Sequence, residues 1–258
     1  MKLHQVKIDA GVQTITLNRP EIHNAFNDEL ILELTHTFKN IAPEIKVVIL
    51  KGEGKSFCAG ADLNWMKSMI EYSKDENIAD ANKLADLFCA IDDCPAPVVG
   101  VVQGAALGGG SGLVSVCDYV LSESNTIYGF TEARLGLVPA VISPFVMAKI
   151  GLSNSRATFM SGRRFSAAQA MQMGLVHQIC DQAELESELN KIIKDFLKAG
   201  PKAAREAKLL IKGVDSRSAS RREQIDYTCE TIARLRASSE GQEGMGALLE
   251  KRKPEWIK

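Results

Sequence analysis

The sequence predicts an α/β fold, and three observations carry that reading. Residues 47–50 and 98–102 are continuous apolar runs, as expected of strands buried on both faces. Each run is followed by a loop containing glycine. Helical periodicity then resumes, so strand, loop and helix recur in the order of stacked crossover units.

The elements follow in order. Residues 3–9 and 12–17 alternate apolar and polar positions around Asp9-Ala10-Gly11, which predicts a β-hairpin. Asn18-Arg19-Pro20 ends the second strand. Asn27 is a candidate N-cap for a helix reaching about residue 42, with Leu30, Ile31, Leu34, Phe38 and Ile41 on one face. A buried strand over 46–51 leads into a loop over 52–62. Residues 76–91 read as helical, and Pro95-Ala96-Pro97 ends that helix before the second buried strand. A second glycine loop, residues 104–112, opens a short helix to Cys117. A third strand over 119–121 and the segment 129–139 follow. From residue 184 the strand signals stop, and 184–197, 201–212, 218–237 and 241–252 read as successive helices, with Pro201 suited to a first turn.

Composition narrows the function. The chain has 258 residues, 45% of them hydrophobic, enough for a core without disulfides or metals. The 31 basic and 32 acidic residues are mixed along the chain, although Lys and Arg are frequent after residue 190. That balance argues against nucleic acid as the main partner. No stretch approaches the roughly 18 apolar residues of a membrane span, and residues 1–9 lack the apolar core of a signal peptide. The six cysteines are scattered, as suits reduced thiols in a cytoplasm, and no histidine pair has the helical spacing of zinc ligands.

Two segments stand out, Ser56-Phe57-Cys58-Ala59-Gly60-Ala61-Asp62-Leu63 and Gly104-Ala105-Ala106-Leu107-Gly108-Gly109-Gly110-Ser111-Gly112-Leu113. Small residues let a ligand approach the backbone, and amides at a helix start point outward with the positive end of the dipole. Two such loops can aim two N–H groups at one oxygen, the geometry of an oxyanion hole. Packing of glycines between strand and helix explains each loop equally well when it is taken alone. Leu113 stands where both a dinucleotide fingerprint and a nucleophile elbow require glycine, and no phosphate-cradling lysine motif is present.

At these residues the chain resembles the enoyl-CoA hydratase/isomerase, or crotonase, superfamily. The matches are Leu17-Asn18-Arg19-Pro20 with Asn24-Ala25, then 57–63, 106–110 with Cys117-Asp118, and Glu132 with Leu135-Gly136 and Pro139. They continue through 170–176, Glu243-Gly244-Met245 and Glu250-Lys251-Arg252, in the family's order and over nearly the whole chain. The resemblance implies a spiral of ββα units through residue 195. It also implies a helical region, 196–258, that covers the site and joins subunits into a homotrimer or a pair of trimers. It implies an acyl-CoA thioester as substrate, with coenzyme A arriving as part of that substrate and no separate cofactor. The thioester oxygen is expected between the amides of Ala61 and Gly109, with Ala59 and Leu63 lining the adenine and pantetheine path and Ala25 beside it. Gly60, Gly108, Gly112, Pro139 and Ala140 join the implied substrate-binding set, together with His23, Asp62 and Lys251. Asp62 reads as a helix N-cap and His23 as a histidine satisfied within its loop, whereas Lys251 matches a basic residue that contacts CoA phosphate in relatives.

The pattern also departs from the family. Hydratases of this family commonly carry two glutamates. Glu132 matches the one that handles the proton at the acyl α-carbon, but the other position is Gly112, and Ala140 stands where glycine is frequent. Glu21 stands where relatives often place a phosphate-binding lysine. The segment 132–144 is similar to hydratases of branched, carboxylated glutaconyl-CoA in leucine and acyclic-terpene breakdown. On that reading Gly112 frees volume for a branched acyl group, and Arg134 faces a substrate carboxylate. An apolar wall is expected from Trp65, Met66 and Met69, and a chain turn from Asp118. The expectation is therefore a hydratase of a branched or dicarboxylic enoyl-CoA. A single-glutamate enoyl-CoA isomerase and a non-catalytic binding protein of the same fold are the alternatives.

Overall fold

A computed structural model describes residues 2–257, so Met1 and Lys258, the outer ends of the two expected regions, lie outside the described residues. The chain opens with the expected hairpin, β1 (His4–Asp9) and β2 (Val12–Leu17), closed by Ala10 and Gly11 in the left-handed region. That pair of positive φ angles matches the twist of the two strands. Next come α1 (Asp28–Lys39), β3 (Val47–Gly52), α2 (Leu63–Met69), α3 (Lys74–Asp92) and β4 (Val98–Val102). Asn27 caps α1 by accepting from the Leu30 amide, as its residue type predicts.

β5 (Ala105–Leu107), α4 (Gly109–Ser115), β6 (Tyr119–Glu123) and β7 (Ile127–Gly129) complete the central turns of the spiral. After α5 (Ser143–Phe159), β8 (Arg164–Ser166), α6 (Ala167–Gln172) and β9 (Gln178–Cys180), the chain is helical, with α7 (Leu185–Lys198), α8 (Pro201–Asp215), α9 (Arg221–Arg236) and α10 (Ser239–Leu249). The strands form two sheets. The larger runs β1-β2-β3-β4-β6-β9, parallel except for the opening hairpin, and the smaller runs β5-β7-β8.

The continuous apolar runs have a direct explanation in this layering. Val48 and Leu50 of β3, with Val98 and Val102 of β4, enter the main core beneath α1 and α3. Val47, Ile49, Val99 and Val101 point the other way, into a second core covered by Leu189, Ile192, Ile193 and Phe196 of α7. Alternate side chains of one strand thus reach opposite faces, and both faces are dry.

Because α7 belongs to that second core, the division expected at 195/196 falls inside a helix. Phe196 and Leu197 still pack on the sheet, and the appended layer begins after Ala199. The basic residues after 190 are accounted for here too. Arg205, Lys208 and Lys212 share one face of α8. Arg205 donates to the Pro43 and Ile45 carbonyls, Lys208 pairs with Asp118 at 2.7 Å, and Lys212 pairs with Asp92 and Asp93. These partners sit just before β3, β4 and β6, so α8 clasps the entering ends of the strands.

Asp118 also accepts the Val98 amide at 2.7 Å. Replacing Asp118 by Ala leaves that amide and Lys208 without their acceptor, and stability should fall by about 1–3 kcal/mol. Thermal unfolding measures the loss, and turnover at a temperature where the variant is folded should match the parent.

Candidate functional site

The site is built where the chain leaves the larger sheet. Past β3, the segment 57–61 runs alongside two other stretches. Cys58 donates to the Ala105 carbonyl and accepts from Leu107, and Phe26 donates to the Gly60 carbonyl and accepts from the Asp62 amide. Three loops therefore lie side by side as a short ladder. In the Phe26–Ala61 bridge it is the neighbours of Ala61 that make the bonds, so the Ala61 amide turns to the other side. Gly109 is the first residue of α4, where no intrahelical acceptor exists for its N–H. Among the described residues neither amide has a hydrogen-bond acceptor. Ala61 and Gly109 are half-buried, whereas Gly60, Asp62, Gly108 and Gly110 around them are buried.

The glycines are required by contact. A Cβ on Gly110 would overlap the Cys58 carbonyl, and one on Gly60, which has φ of +101°, would lie 3.1 Å from the Leu107 carbonyl. One on Gly109 would lie 2.7 Å from Phe26 Cε2. Backbone thus packs directly on backbone between the two loops.

A frame of polar side chains holds them there. Arg19 donates to the Ala25 carbonyl at 2.6 Å and to Asp62 at 2.8 Å. Asp62 caps α2 through the Asn64 amide, as expected. Burial pushes the Asp62 carboxyl up, but the Asn64 amide and the Arg19 guanidinium outweigh that and hold it below the usual carboxylate range. Asn24, fully buried and left-handed, donates to the Glu53 and Ser56 carbonyls and accepts the Arg19 amide. Arg19 and Asn24 were matched as motif letters, but their clamping role needs the folded loops to be seen.

Glu132 opens a 3-10 turn, Glu132–Leu135, after β7. Its Oε1 faces Gly108, within 3.2 Å of where a Cβ would stand, and its buried Oε2 has no hydrogen-bond partner. Burial pushes the Glu132 carboxyl above its ordinary value. Cys58 is no competing nucleophile, because burial drives its thiol up to about 12. Asp118 belongs to the strand entries described above, so its expected turn-forming role stands apart from this site.

The remaining expected residues divide. Ala25 and Ala59 flank the ladder, and Leu63 is 80% exposed beside it. Pro139 is buried and Ala140 exposed on the segment that leaves Glu132. His23 bonds Ser56 Oγ at 3.1 Å, a locally satisfied loop histidine as its residue type suggested. Trp65 is buried and Met69 packs on the main core. Lys251 lies past α10, and the tail that follows it is held at Trp256 by Lys46, at the entry to β3. In this chain it is therefore not gathered with the loops.

The free volume expected at Gly112 is absent. A Cβ there would overlap Ile142 Cγ2 and lie 3.0 Å from Phe88 Cζ. The two side chains come from different elements, the residue before α5 and helix α3, which is why no local sequence signal exposed them.

Two concavities lie elsewhere. One of about 530 Å³ is lined by Tyr119, Gln178 and Phe196, and one of about 250 Å³ by Leu235, Met245 and Trp256. Their carboxylates are all taken up by protein groups, Glu188 by Lys191 and Gln178, Asp195 by Lys198, and Glu240 by the Lys202 and Ala203 amides, so the unpaired Glu132 oxygen favours the ladder. Among the described residues no group of three or more His, Cys, Asp or Glu is placed to hold a metal ion, and no helix is long and apolar enough to cross a membrane.

Two outcomes follow from these contacts. Arg19→Met strands the nearly buried Asp62 carboxylate and should cost about 3 kcal/mol, measured by denaturant unfolding. The sign for Glu132 is the reverse. A carboxyl whose pKa is raised on folding favours the folded state while protonated, and charging it at higher pH costs stability. Glu132→Gln should therefore raise the melting temperature at pH 8, and the gain should vanish below the ordinary glutamate pKa.

Comparison with known proteins agrees with this architecture. The family model for enoyl-CoA hydratase/isomerase matches residues 7–258. The enoyl-CoA hydratase ACTT6 of Alternaria alternata is 34% identical over 212 residues, covering 81% of this chain and 69% of the relative. A crystal structure of an enoyl-CoA hydratase from Shewanella pealeana superposes with a TM-score of 0.94 at 35% identity, over 99% of this chain and 96% of that one. An enoyl-CoA hydratase/isomerase from Marinobacter aquaeolei gives a TM-score of 0.92 at 29% identity, over 99% of each chain. With its spiral of ββα units and its appended helices, the chain belongs to the enoyl-CoA hydratase/isomerase family.

Proposed function

We propose that this protein is an enoyl-CoA hydratase, adding water across the double bond of a 2-enoyl-CoA thioester. The single observation that carries the reading is Glu132, a half-buried carboxylate with an unpaired oxygen, set against the loop that presents the free Gly109 amide. In the proposed reaction the thioester oxygen lies between the Ala61 and Gly109 amides. Water oxygen adds to the β-carbon, the π electrons move towards the thioester, and enolate charge collects on that oxygen. Each preorganised donor is worth about 3 kcal/mol of transition-state stabilisation. Glu132 accepts a proton from the attacking water and returns one to the α-carbon, so charge and protons balance with one carboxyl. A raised pKa brings Glu132 nearer the operating range for both roles. Coenzyme A is carried by the substrate, and this chemistry calls for no other cofactor.

The branched or dicarboxylic substrate suggested by the segment 132–144 loses its steric support, because Ile142 and Phe88 fill the space beside Gly112. The reading therefore moves to a straight acyl chain. Arg134, exposed and without an ion-pair partner among the described residues, is the one feature still compatible with an acidic acyl group. Leucine breakdown rests on that substrate class. The apolar side chains that the appended layer leaves exposed, among them Leu209, Ile211, Leu248 and Leu249, support self-association, a trimer or a pair of trimers being the family's form. Scattered free thiols fit a cytoplasmic setting.

One carboxylate with no second acid or base at position 112 also suits an isomerase, which shuttles a proton between two carbons of the acyl chain. Mass spectrometry of crotonyl-CoA and a 3-enoyl-CoA after incubation separates the two. Gain of one water by crotonyl-CoA is expected. A shifted double bond in the 3-enoyl substrate without water gain would make the protein an isomerase. Glu132→Gln should lower turnover by about 10²–10⁴-fold and leave CoA-thioester binding within a few-fold. Retained turnover in that variant would remove Glu132 from the chemistry.

A further inference from the structure

We infer that Thr131 is a water-positioning residue, its hydroxyl holding the attacking water beside Glu132. The inference rests on the hydratase reading above and concerns a side chain that no motif marked. In that reaction one O–H of the water gives its proton to Glu132 as the oxygen bonds to the β-carbon. The other O–H needs an acceptor of its own, so that the attacking lone pair stays aimed at the carbon. Gly112 has no side chain to offer, so the second acceptor must come from elsewhere.

Thr131 is placed to supply it. A Cβ built on Gly108 would stand 3.2 Å from Glu132 Oε1 and 3.9 Å from Thr131 Oγ1, so both oxygens border one spot. That spot adjoins an oxyanion donor, because Gly108 is bonded directly to Gly109. Residue 108 is held at φ 52° and ψ −122°, a backbone conformation that favours glycine, so no side chain fills the spot. The methyl of Thr131 aims the hydroxyl. Its Cγ2 lies 3.1 Å from where a Cβ on Gly129 would be. Threonine is stiff at χ1, so seating the methyl against Gly129 fixes the oxygen as well.

Local structure does not use that oxygen. Thr131 precedes the 3-10 turn Glu132–Leu135, where a threonine hydroxyl ordinarily caps the first amides. Here it makes no capping bond, and the Arg134 amide goes to the Thr131 carbonyl at 3.0 Å. Nearby groups are paired: the Tyr128 hydroxyl donates to Ser122 Oγ at 2.7 Å and the Gly129 amide to Ser111 Oγ at 3.3 Å. The Thr131 hydroxyl has no protein partner among the described residues, and its residue is half-buried, so water reaches it. A free hydroxyl therefore stands beside the one carboxylate with an unpaired buried oxygen. During addition it accepts the second O–H of the water and gives up no proton of its own. The proton count of the reaction is unchanged.

The experiment follows two reactions in the parent, Thr131→Val and Thr131→Ser. One is hydration of crotonyl-CoA; the other is exchange of the α-protons of butyryl-CoA in heavy water, read by mass spectrometry. Exchange uses Glu132 and the two amides but no attacking water. Valine keeps the methyl against Gly129 and removes only the hydroxyl, and thermal unfolding checks that the variant folds. Thr131→Val should lower kcat for hydration about tenfold, the worth of one hydrogen bond, with KM and α-proton exchange within about twofold. Thr131→Ser keeps the oxygen and should hydrate within about threefold of the parent. If Thr131→Val does not fold, Thr131→Ala takes its place. Hydration within twofold of the parent in the folded variant, or equal loss of hydration and exchange, would overturn the inference and leave the hydratase reading standing. A parent that exchanges α-protons yet adds no water would overturn that reading, and the water-holding role with it.

Discussion

The site depends on one close approach, that of the chain around Cys58–Gly60 to the chain around Leu107–Gly110. The Cys58 carbonyl sits where a side chain on Gly110 would be, and the Leu107 carbonyl sits against Gly60. Main chain can come this near only where a Cβ is missing. The ladder bonds from Cys58 to Ala105 and Leu107 then set the register between the loops. Once Phe26 has taken the Gly60 carbonyl and the Asp62 amide, the Ala61 amide is left facing outward by the alternation of an extended chain. The direction of a donor is thus decided by hydrogen bonds made by its neighbours.

A donor that belongs to the backbone is preorganised only as well as its loop. The surroundings supply that rigidity with charge and amide groups: Arg19 spans from the Ala25 carbonyl to Asp62, and Asn24 ties the Glu53–Ser56 turn to Arg19. The polar side chains that hold the loops are satisfied among themselves, which leaves Glu132 as the carboxylate whose buried oxygen is unpaired. Polar groups in a dry site are normally matched, and Trp65 Nε1 is the other exception among the described residues, so it is the place of Glu132 against Gly108 together with its unpaired oxygen that marks it as the group to receive a proton. The residues that frame the site and the residue that acts in it are separate groups.

Much of this was legible in the sequence, for identifiable reasons. The buried strands showed as apolar runs because both of their faces are covered, and the hairpin showed because one turn forces two left-handed residues. Asn27 and Asp62 announced their helices because a cap is a local interaction within three or four residues. What depends on distant partners stayed hidden. The short strands β5, β7 and β8 have only three residues each and owe their existence to one another. The stretch α5 is two helices meeting at Gly151, whose φ of +73° breaks the helical backbone, so no single helical period runs through it. Gly112 looked like open space because a glycine code letter cannot say that Ile142 and Phe88 arrive from two other elements. Glu132 was found through a motif, but its isolation from hydrogen-bond partners is a property of the packed loops.

The two ends of the larger sheet carry different loads. At the entering ends of β3, β4 and β6, Arg205, Lys208 and Lys212 of α8 meet carbonyls and carboxylates, and Lys149 donates to the Cys117 carbonyl at 2.6 Å. These are attachments whose partners are all protein groups, so they add to stability without leaving anything free to bind a ligand. At the opposite ends the loops keep two amides and one carboxylate oxygen without protein partners, and the buried oxygen costs stability. A fold can carry such unsatisfied groups only if its attachments elsewhere supply the difference. Placing the ion pairs of α8 at the far end does this without adding competing cations near Glu132, whose raised proton affinity a nearby lysine would lower. The basic character of the C-terminal helices therefore serves the site by staying away from it.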